Sequence, residues 1–170
     1  MVRCAVVTGG GRGIGAAIVD RLRADGYKVV PLDLQGADDV TICDVTDPEA
    51  VQVVADSIGP VDLLVNNAAV WRFAALEDVT EADFGIALDV NLKGAFHCAQ
   101  SFGRSMLERK TGVIINIVSI AAKHANPAVG SYGPSKAALL SLTEQIALEW
   151  GPRGIRCNAV GPGLVPTPGT

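Results

Sequence analysis

Short, almost unbroken apolar runs alternate along the chain with longer stretches in which apolar residues return every three or four positions. The runs RCAVVT, YKVVPLD, DVTIC, VDLLVN, GVIINIVS and GIRCNAVG are rich in valine, isoleucine and leucine. Strands buried on both faces read this way. Between them, residues 14–25, 48–57, 81–110 and 132–150 have helical periodicity, the third of these long enough that a break is expected. The βαβα alternation predicts an α/β fold, a Rossmann-type doubly wound parallel sheet of order 3-2-1-4-5-6, in a single domain over 1–170. Local signals agree with these boundaries. Asp47 can cap a helix that opens with Pro48, and Thr80 with Asp83 resembles a capping box.

The helix predicted over 132–150 carries Ala137, Leu139, Leu140, Leu142, Ile146, Leu148 and Trp150, too many apolar residues for one stripe facing a sheet. A second buried face is expected. It predicts a homodimer or homotetramer assembled through the helices ending near Lys110 and Trp150, the plain alternative being a neighbouring loop that covers the helix.

Composition narrows the classes. In 170 residues, 49% of them hydrophobic, there is material for one real core. The net charge of −4, with both signs interspersed, gives no electrostatic footprint for nucleic acid or an anionic membrane. The N-terminal apolar run is too short for a signal peptide, and no uncharged stretch of about 18 apolar residues occurs, so a cytoplasmic protein is expected. Cys4, Cys43, Cys98 and Cys157 are scattered, and only His97 and His124 could join them. Buried free thiols are expected, and no metal site.

After the first strand comes TGGGRGIG, Thr8 to Gly15, followed by a helical pattern. A strand, a glycine turn and a helix N-terminus together form a cradle for a pyrophosphate. The spacing is G-x-x-x-G-x-G through Gly9, Gly13 and Gly15, while a G-x-G-x-x-A match through Gly11, Gly13 and Ala16 also exists but starts later than the strand end. The second strand ends at Asp33, whose carboxylate can accept from ribose hydroxyls and would repel a 2′-phosphate, which favours NAD over NADP. Arg12 pulls towards NADP, because a guanidinium beside the turn can reach that phosphate.

Tyr132 and Lys136 are four apart in SYGPSK, on one helix face, and Pro134 between them places the pair in the first turn. A nearby ammonium favours phenolate, so Lys136 is expected to bring Tyr132 towards a pKa useful for proton transfer. Ser119 ends the run GVIINIVS, at the carboxyl edge where doubly wound sheets bind ligands.

These motifs together resemble the short-chain dehydrogenase/reductase family. TGGGRGIG matches its cofactor turn through Gly9, Arg12, Gly13, Ile14 and Gly15. Ser119, Tyr132 and Lys136 match its catalytic set, and Asn91 in DVNLKG its fourth position. VDLLVNNAAV resembles the N-N-A-G motif through Asn67 and Ala68, with Ala69 where glycine is usual. Asp44 and Val45 stand where relatives contact adenine. GPGLVPT, through Pro162, Gly163, Val165 and Thr167, resembles the segment beside the nicotinamide carboxamide.

The resemblance implies hydride exchange between a nicotinamide and an alcohol or carbonyl substrate. Tyr132 would be acid and base, Ser119 would orient the substrate oxygen, Lys136 would also bond the nicotinamide ribose, and Asn91 would support a water chain. Family members continue beyond the sixth strand with a substrate-covering segment and a further strand, which this sequence lacks. A fragment of a longer enzyme, a natural short form, or completion by a partner chain would each account for that. His124 and Asn126 could meet a polar substrate such as a sugar or hydroxy acid, or merely close a loop, and Trp71 and Phe73 could form an apolar rim. A non-catalytic NAD-binding module and a methyltransferase on a similar sheet are the competing readings.

Overall fold

Strands with no polar face are stable only when both faces are covered, and the computed structural model, which describes residues 2–36 and 39–167, covers them with helices. The strands β1 (Cys4–Thr8), β2 (Lys28–Asp33), β3 (Thr41–Ile42), β4 (Leu63–Asn66), β5 (Gly112–Ile117) and β6 (Ile155–Val160) form one sheet in the order β3-β2-β1-β4-β5-β6. All five pairings are parallel. The helices are α1 (Gly13–Ala24), α2 (Pro48–Ile58), α3 (Glu81–Leu88), α4 (Ala95–Arg109) and α5 (Tyr132–Trp150).

Alternation along each strand sorts the core into two layers. Ala5, Val7, Leu63, Val65 and Ile117 meet Val19, Ile18 and Leu22 of α1. On the opposite face Val6, Leu32, Leu64, Ile114 and Ile155 pack with Val51 of α2, Phe102 and Met106 of α4, and Ile146 of α5. The order of strands reverses between β1 and β4, and such a switch point opens a crevice at the carboxyl ends of the strands. Among the described residues no helix is long and apolar enough to cross a membrane.

Caps form where the sequence places them. Asp47 Oδ1 accepts from the amides of Glu49 and Ala50 at 2.9 and 3.1 Å, with Pro48 in the first turn. Thr80 Oγ1 accepts from the Asp83 amide at 3.0 Å and donates to Asp83 Oδ2 at 2.8 Å, so the reciprocal bond joins side chain to side chain.

The break expected within 81–110 is a π-helical turn, Asp89–Gly94, between α3 and α4. It buries Asn91 and brings Gly94 against Val45, where an added Cβ would lie 2.6 Å from Val45 Cγ2. Two strand boundaries differ from the sequence pattern. DVTIC yields only the two residues Thr41–Ile42, at the sheet edge. GVIINIVS stops pairing in strand form at Ile117, so Ser119 stands beyond the strand and caps a short 3-10 turn, its Oγ accepting from the Ala121 amide at 3.1 Å.

Helix α5 buries Leu139 and Ile146, while Leu142 and Ala147 are partly buried. Trp150 lies on Gly103 of α4, where a Cβ would come within 2.6 Å of the indole. Much of the apolar surface expected to face a second subunit is therefore covered within the chain, and Leu148 is the large apolar residue of α5 left exposed, at 73%. All four cysteines are free. Burial pushes every thiol upward, Cys157 to about 12.

Candidate active site

The glycine turn decides between the two spacings. Gly9 and Gly13 have φ of +62° and +57°, and a Cβ on Gly15 would run into Gly9 O and the Asn67 side chain. Gly11 has no such constraint beyond the Asp33 carboxylate 3.0 Å away, so G-x-x-x-G-x-G is the pattern this turn requires. Asn67, just past β4, braces the turn, its Nδ2 donating to Thr8 O and Gly9 O at 3.0 Å each. Thr8 completes the brace by accepting the Asn67 and Ala68 amides on Oγ1, both at 3.0 Å. Asn67 and Ala68 thus act on the cradle itself, and Thr8, which had no assigned role from the sequence, holds both.

Around this turn the other candidates take their places. Asp33 Oδ2 accepts from the Gly11 amide at 3.1 Å and Oδ1 from the Leu34 amide at 2.8 Å, leaving further lone pairs on each oxygen. Arg12 stands exposed at the N-cap of α1. Asp44 closes a tight turn by accepting from Thr46 N and Oγ1 at 2.9 and 2.8 Å, and Val45 beside it is buried. Ile14, Pro162, Val165 and Thr167 line one apolar groove of about 550 Å³ with Gly13. Gly163 lies on the same segment with open space around its Cα, and the Ile120 amide donates to Pro162 O at 3.2 Å.

The predicted catalytic residues meet where the π turn, the end of β5 and the start of α5 converge. Asn91 Nδ2 donates to Ser135 Oγ at 2.9 Å, and Ser135 Oγ donates to Tyr132 O at 2.7 Å. The same amide holds Val70, accepting from its N–H at 2.8 Å and donating to its C=O at 2.9 Å. Ser135 is a linking residue that the sequence motif contains but did not single out.

Lys136 is 2% exposed, and its Nζ donates to Ile117 O at 2.7 Å. It stands 5.8 Å from the centroid of the Tyr132 ring. Burial pulls Lys136 down to about 8. The expectation that Lys136 draws the phenol down is corrected by the surroundings. Burial pushes Tyr132 above its ordinary value of 10.0, with the neighbouring Ser119 hydroxyl opposing, so the phenol keeps its proton at neutral pH.

The sequence-predicted substrate residues divide. Phe73 packs on Tyr132, and Trp71 is exposed nearby in the chain. His124 and Asn126 are exposed on the loop before α5, where Asn126 Nδ2 donates to His124 O at 3.2 Å, a bond that closes the loop.

A parallel sheet that reverses order at a glycine-lined helix mouth defines the Rossmann-like class of α/β proteins. The sequence matches the short chain dehydrogenase family over residues 3–170, and the chain belongs to that family of NAD(P)-dependent oxidoreductases. It is 37% identical over 185 positions to galactitol 2-dehydrogenase of Rhizobium johnstonii, a match that covers 96% of this chain and 72% of that protein. Its fold superposes on NAD+-bound xylitol dehydrogenase with a TM-score of 0.90 at 35% identity, covering 95% of this chain and 70% of that one. On ElxO with NADP bound the TM-score is 0.94 at 28% identity, covering 99% and 76%. Relatives of this chain are thus seen with both coenzymes, and the methyltransferase reading is set aside.

Proposed function

We propose that the chain exchanges a hydride between a nicotinamide coenzyme and an alcohol or carbonyl carbon, with Tyr132 as acid and base. The observation that carries this reading is the connected set at the sheet edge, in which Asn91, through Ser135, fixes the turn that presents Tyr132 above a buried Lys136.

The coenzyme fits the chain on the evidence of a turn that closes only with glycine at Gly9, Gly13 and Gly15 and leads into α1, whose N-cap Arg12 makes no side-chain cap bond to its first amides. Gly9, Arg12, Gly13 and Gly15 would hold its pyrophosphate. Asp33, Asp44 and Val45 would hold the adenosine end, and Ile14, Asn67, Ala68, Pro162, Gly163, Val165 and Thr167 the nicotinamide end, with Lys136 on the ribose. When bound, the coenzyme supplies or takes the hydride.

Ser119 Oγ donates a hydrogen bond to the reacting oxygen. Tyr132, kept protonated by burial, gives its proton as the carbon is reduced, and the Lys136 ammonium stabilises the phenolate left behind. Asn91 supports the water chain that returns the proton. The acid at the end of β2 makes NAD the preferred coenzyme over NADP. Two of the compared proteins are named for polyols, which favours a hydroxylated carbon chain as the substrate. Exposed Phe96 on α4 and Leu148 on α5 support a homodimer or homotetramer through those helices, and the dispersed charge a cytoplasmic protein with no nucleic-acid or membrane partner.

The test is a fluorescence titration with NADH and NADPH, on the chain and on Asp33→Ala, followed by a panel of polyols and simple alcohols with oxidised coenzyme. Tighter NADH binding, turnover, and a preference narrowed on the order of 10-fold in Asp33→Ala are expected. Binding without turnover would identify a non-catalytic NAD-binding module, and absence of binding would overturn the proposal.

A further inference from the structure

Tyr132 has a closed side and an open side. On the closed side Lys136 is buried, with its ammonium on Ile117 O. On the open side lies Phe73, whose ring meets that of Tyr132 edge-on, with centroids 6.2 Å apart and planes at 82°. Phe73 is nonetheless 66% exposed, so part of the ring packs on the phenol and the remainder faces solvent.

A single exposed phenylalanine is ordinary, but the backbone that carries this one is fastened at both ends. Val70 is gripped through its N–H and its C=O by the Asn91 amide. Ala74 pairs with Val129 in an isolated parallel bridge. Between them Arg72 meets Asp83 at 3.6 Å, and the Asp83 carbonyl accepts from Ser131 Oγ at 3.2 Å. Gly130, at φ +58°, lets the two segments close up, since a Cβ there would lie 3.1 Å from Arg72 O and 3.3 Å from Ala74 O. Residues 70–74 therefore form an arch pinned to the same elements that present Tyr132. An aromatic side chain on so constrained a backbone loses little freedom when a ligand packs on it.

We propose that Phe73 determines substrate specificity: its exposed ring is the wall against which the C–H face of a hydroxylated carbon chain packs while the reacting oxygen sits at Tyr132 and Ser119. The inference rests on the alcohol–carbonyl reading above and adds a named contact to it. A polyol presents hydroxyls and polarised C–H groups on different sides. An aromatic face offers no conventional hydrogen bond to the first but is electrostatically complementary to the second.

The experiment compares steady-state kinetics of the full chain with its Phe73→Ala and Phe73→Leu variants, using NAD and three alcohols: xylitol, galactitol and cyclohexanol. For the best polyol, Phe73→Ala should raise KM on the order of 10-fold with kcat changed by less than about 2-fold, and Phe73→Leu should recover part of the loss. NADH affinity should stay within about 2-fold in both variants, and exposed Leu76→Ala should match the parent chain. An unchanged KM in Phe73→Ala overturns this inference and leaves the proposed function standing. So does a parallel loss of NADH affinity, which would mark a structural role. A parent chain that prefers cyclohexanol overturns the hydroxylated-chain class. A parent chain that turns over none of the three removes the proposed function and this inference together.

Discussion

Asn91 and Asn116 are both buried asparagines, 1% and 0% exposed, and each sends its amide to a hydroxyl of α5. Asn116 Nδ2 donates to Thr143 Oγ1 at 2.8 Å, and Asn91 Nδ2 to Ser135 Oγ at 2.9 Å. Beyond that point they diverge. Thr143 Oγ1 donates to Leu139 O within the helix, and Asn116 Oδ1 accepts from Asn66, its register partner on β4, at 2.8 Å. That ladder begins and ends inside the protein. Ser135 instead bonds the main-chain Tyr132 O, and Asn91 also holds the arch that carries Phe73, so this network ends on the backbone that presents a phenol and an exposed ring. Similar residue types and distances serve cohesion in one place and positioning in the other, according to whether the chain of bonds ends on buried groups or on the backbone that carries Tyr132 and Phe73.

Substitutions should separate the two networks. The largest effect is expected from Tyr132→Phe, which removes the proton donor and leaves the ring packed on Phe73. Turnover should fall about 10³-fold while NADH affinity holds. Rates near those of the parent chain in stopped-flow hydride transfer would mean that the open network does no proton chemistry.

Asn116→Leu should cost about 2 kcal/mol in urea denaturation, because the Asn66 amide loses its 2.8 Å partner in a dry interior and keeps only the 3.4 Å bond to Ala95 O, yet leave NADH affinity unchanged. Asn91→Leu should cost a similar amount and lower turnover as well. Equal loss of turnover in both variants would erase the distinction between the networks.

The smallest effect belongs to pH. Lys136 titrates at about 8 in the folded chain against an ordinary 10.5, so between those values the unfolded state binds more protons and stability rises with pH. The cysteine thiols, all raised above their ordinary 9.0 by burial, oppose this from about pH 8 upward, where the unfolded thiols begin to ionise, and Tyr132 adds to the opposition as pH nears 10. Lys136 by itself contributes a gain of about 1 kcal/mol between pH 8 and 9, which the thiols largely offset, so a nearly flat profile is expected over that unit and a decline above it. Lys136→Met should leave the thiol loss uncompensated, so that stability falls by about 1 kcal/mol between pH 8 and 9, and a profile as flat as the parent chain's in this variant would place the compensation elsewhere.

Much of the fold was legible along the chain. The β4 strand and the full extent of α5 stand where apolar runs and periodicity put them, and Asp47 and Thr80 cap as their positions suggest. The short β3 was not legible in its true length, because DVTIC has a strand's composition while the edge of the sheet offers it only two paired residues. The apolar excess on α5 pointed to a partner, but Trp150 is covered by α4 through Gly103, a contact between distant segments that helical periodicity cannot show.

The amino-acid sequence by itself determined the class of protein, because the period of burial selects strand or helix and the spacing of Gly9, Gly13 and Gly15, and of Tyr132 and Lys136, is local chemistry on a single turn. Only the tertiary structure decided the electrostatics and the walls of the site. Whether the phenol gains or loses acidity depends on how much water surrounds it, and that is set by Phe73, Ser119 and Lys136 arriving from separate parts of the chain. Desolvation belongs to the packed environment as a whole, and no spacing along one segment encodes it.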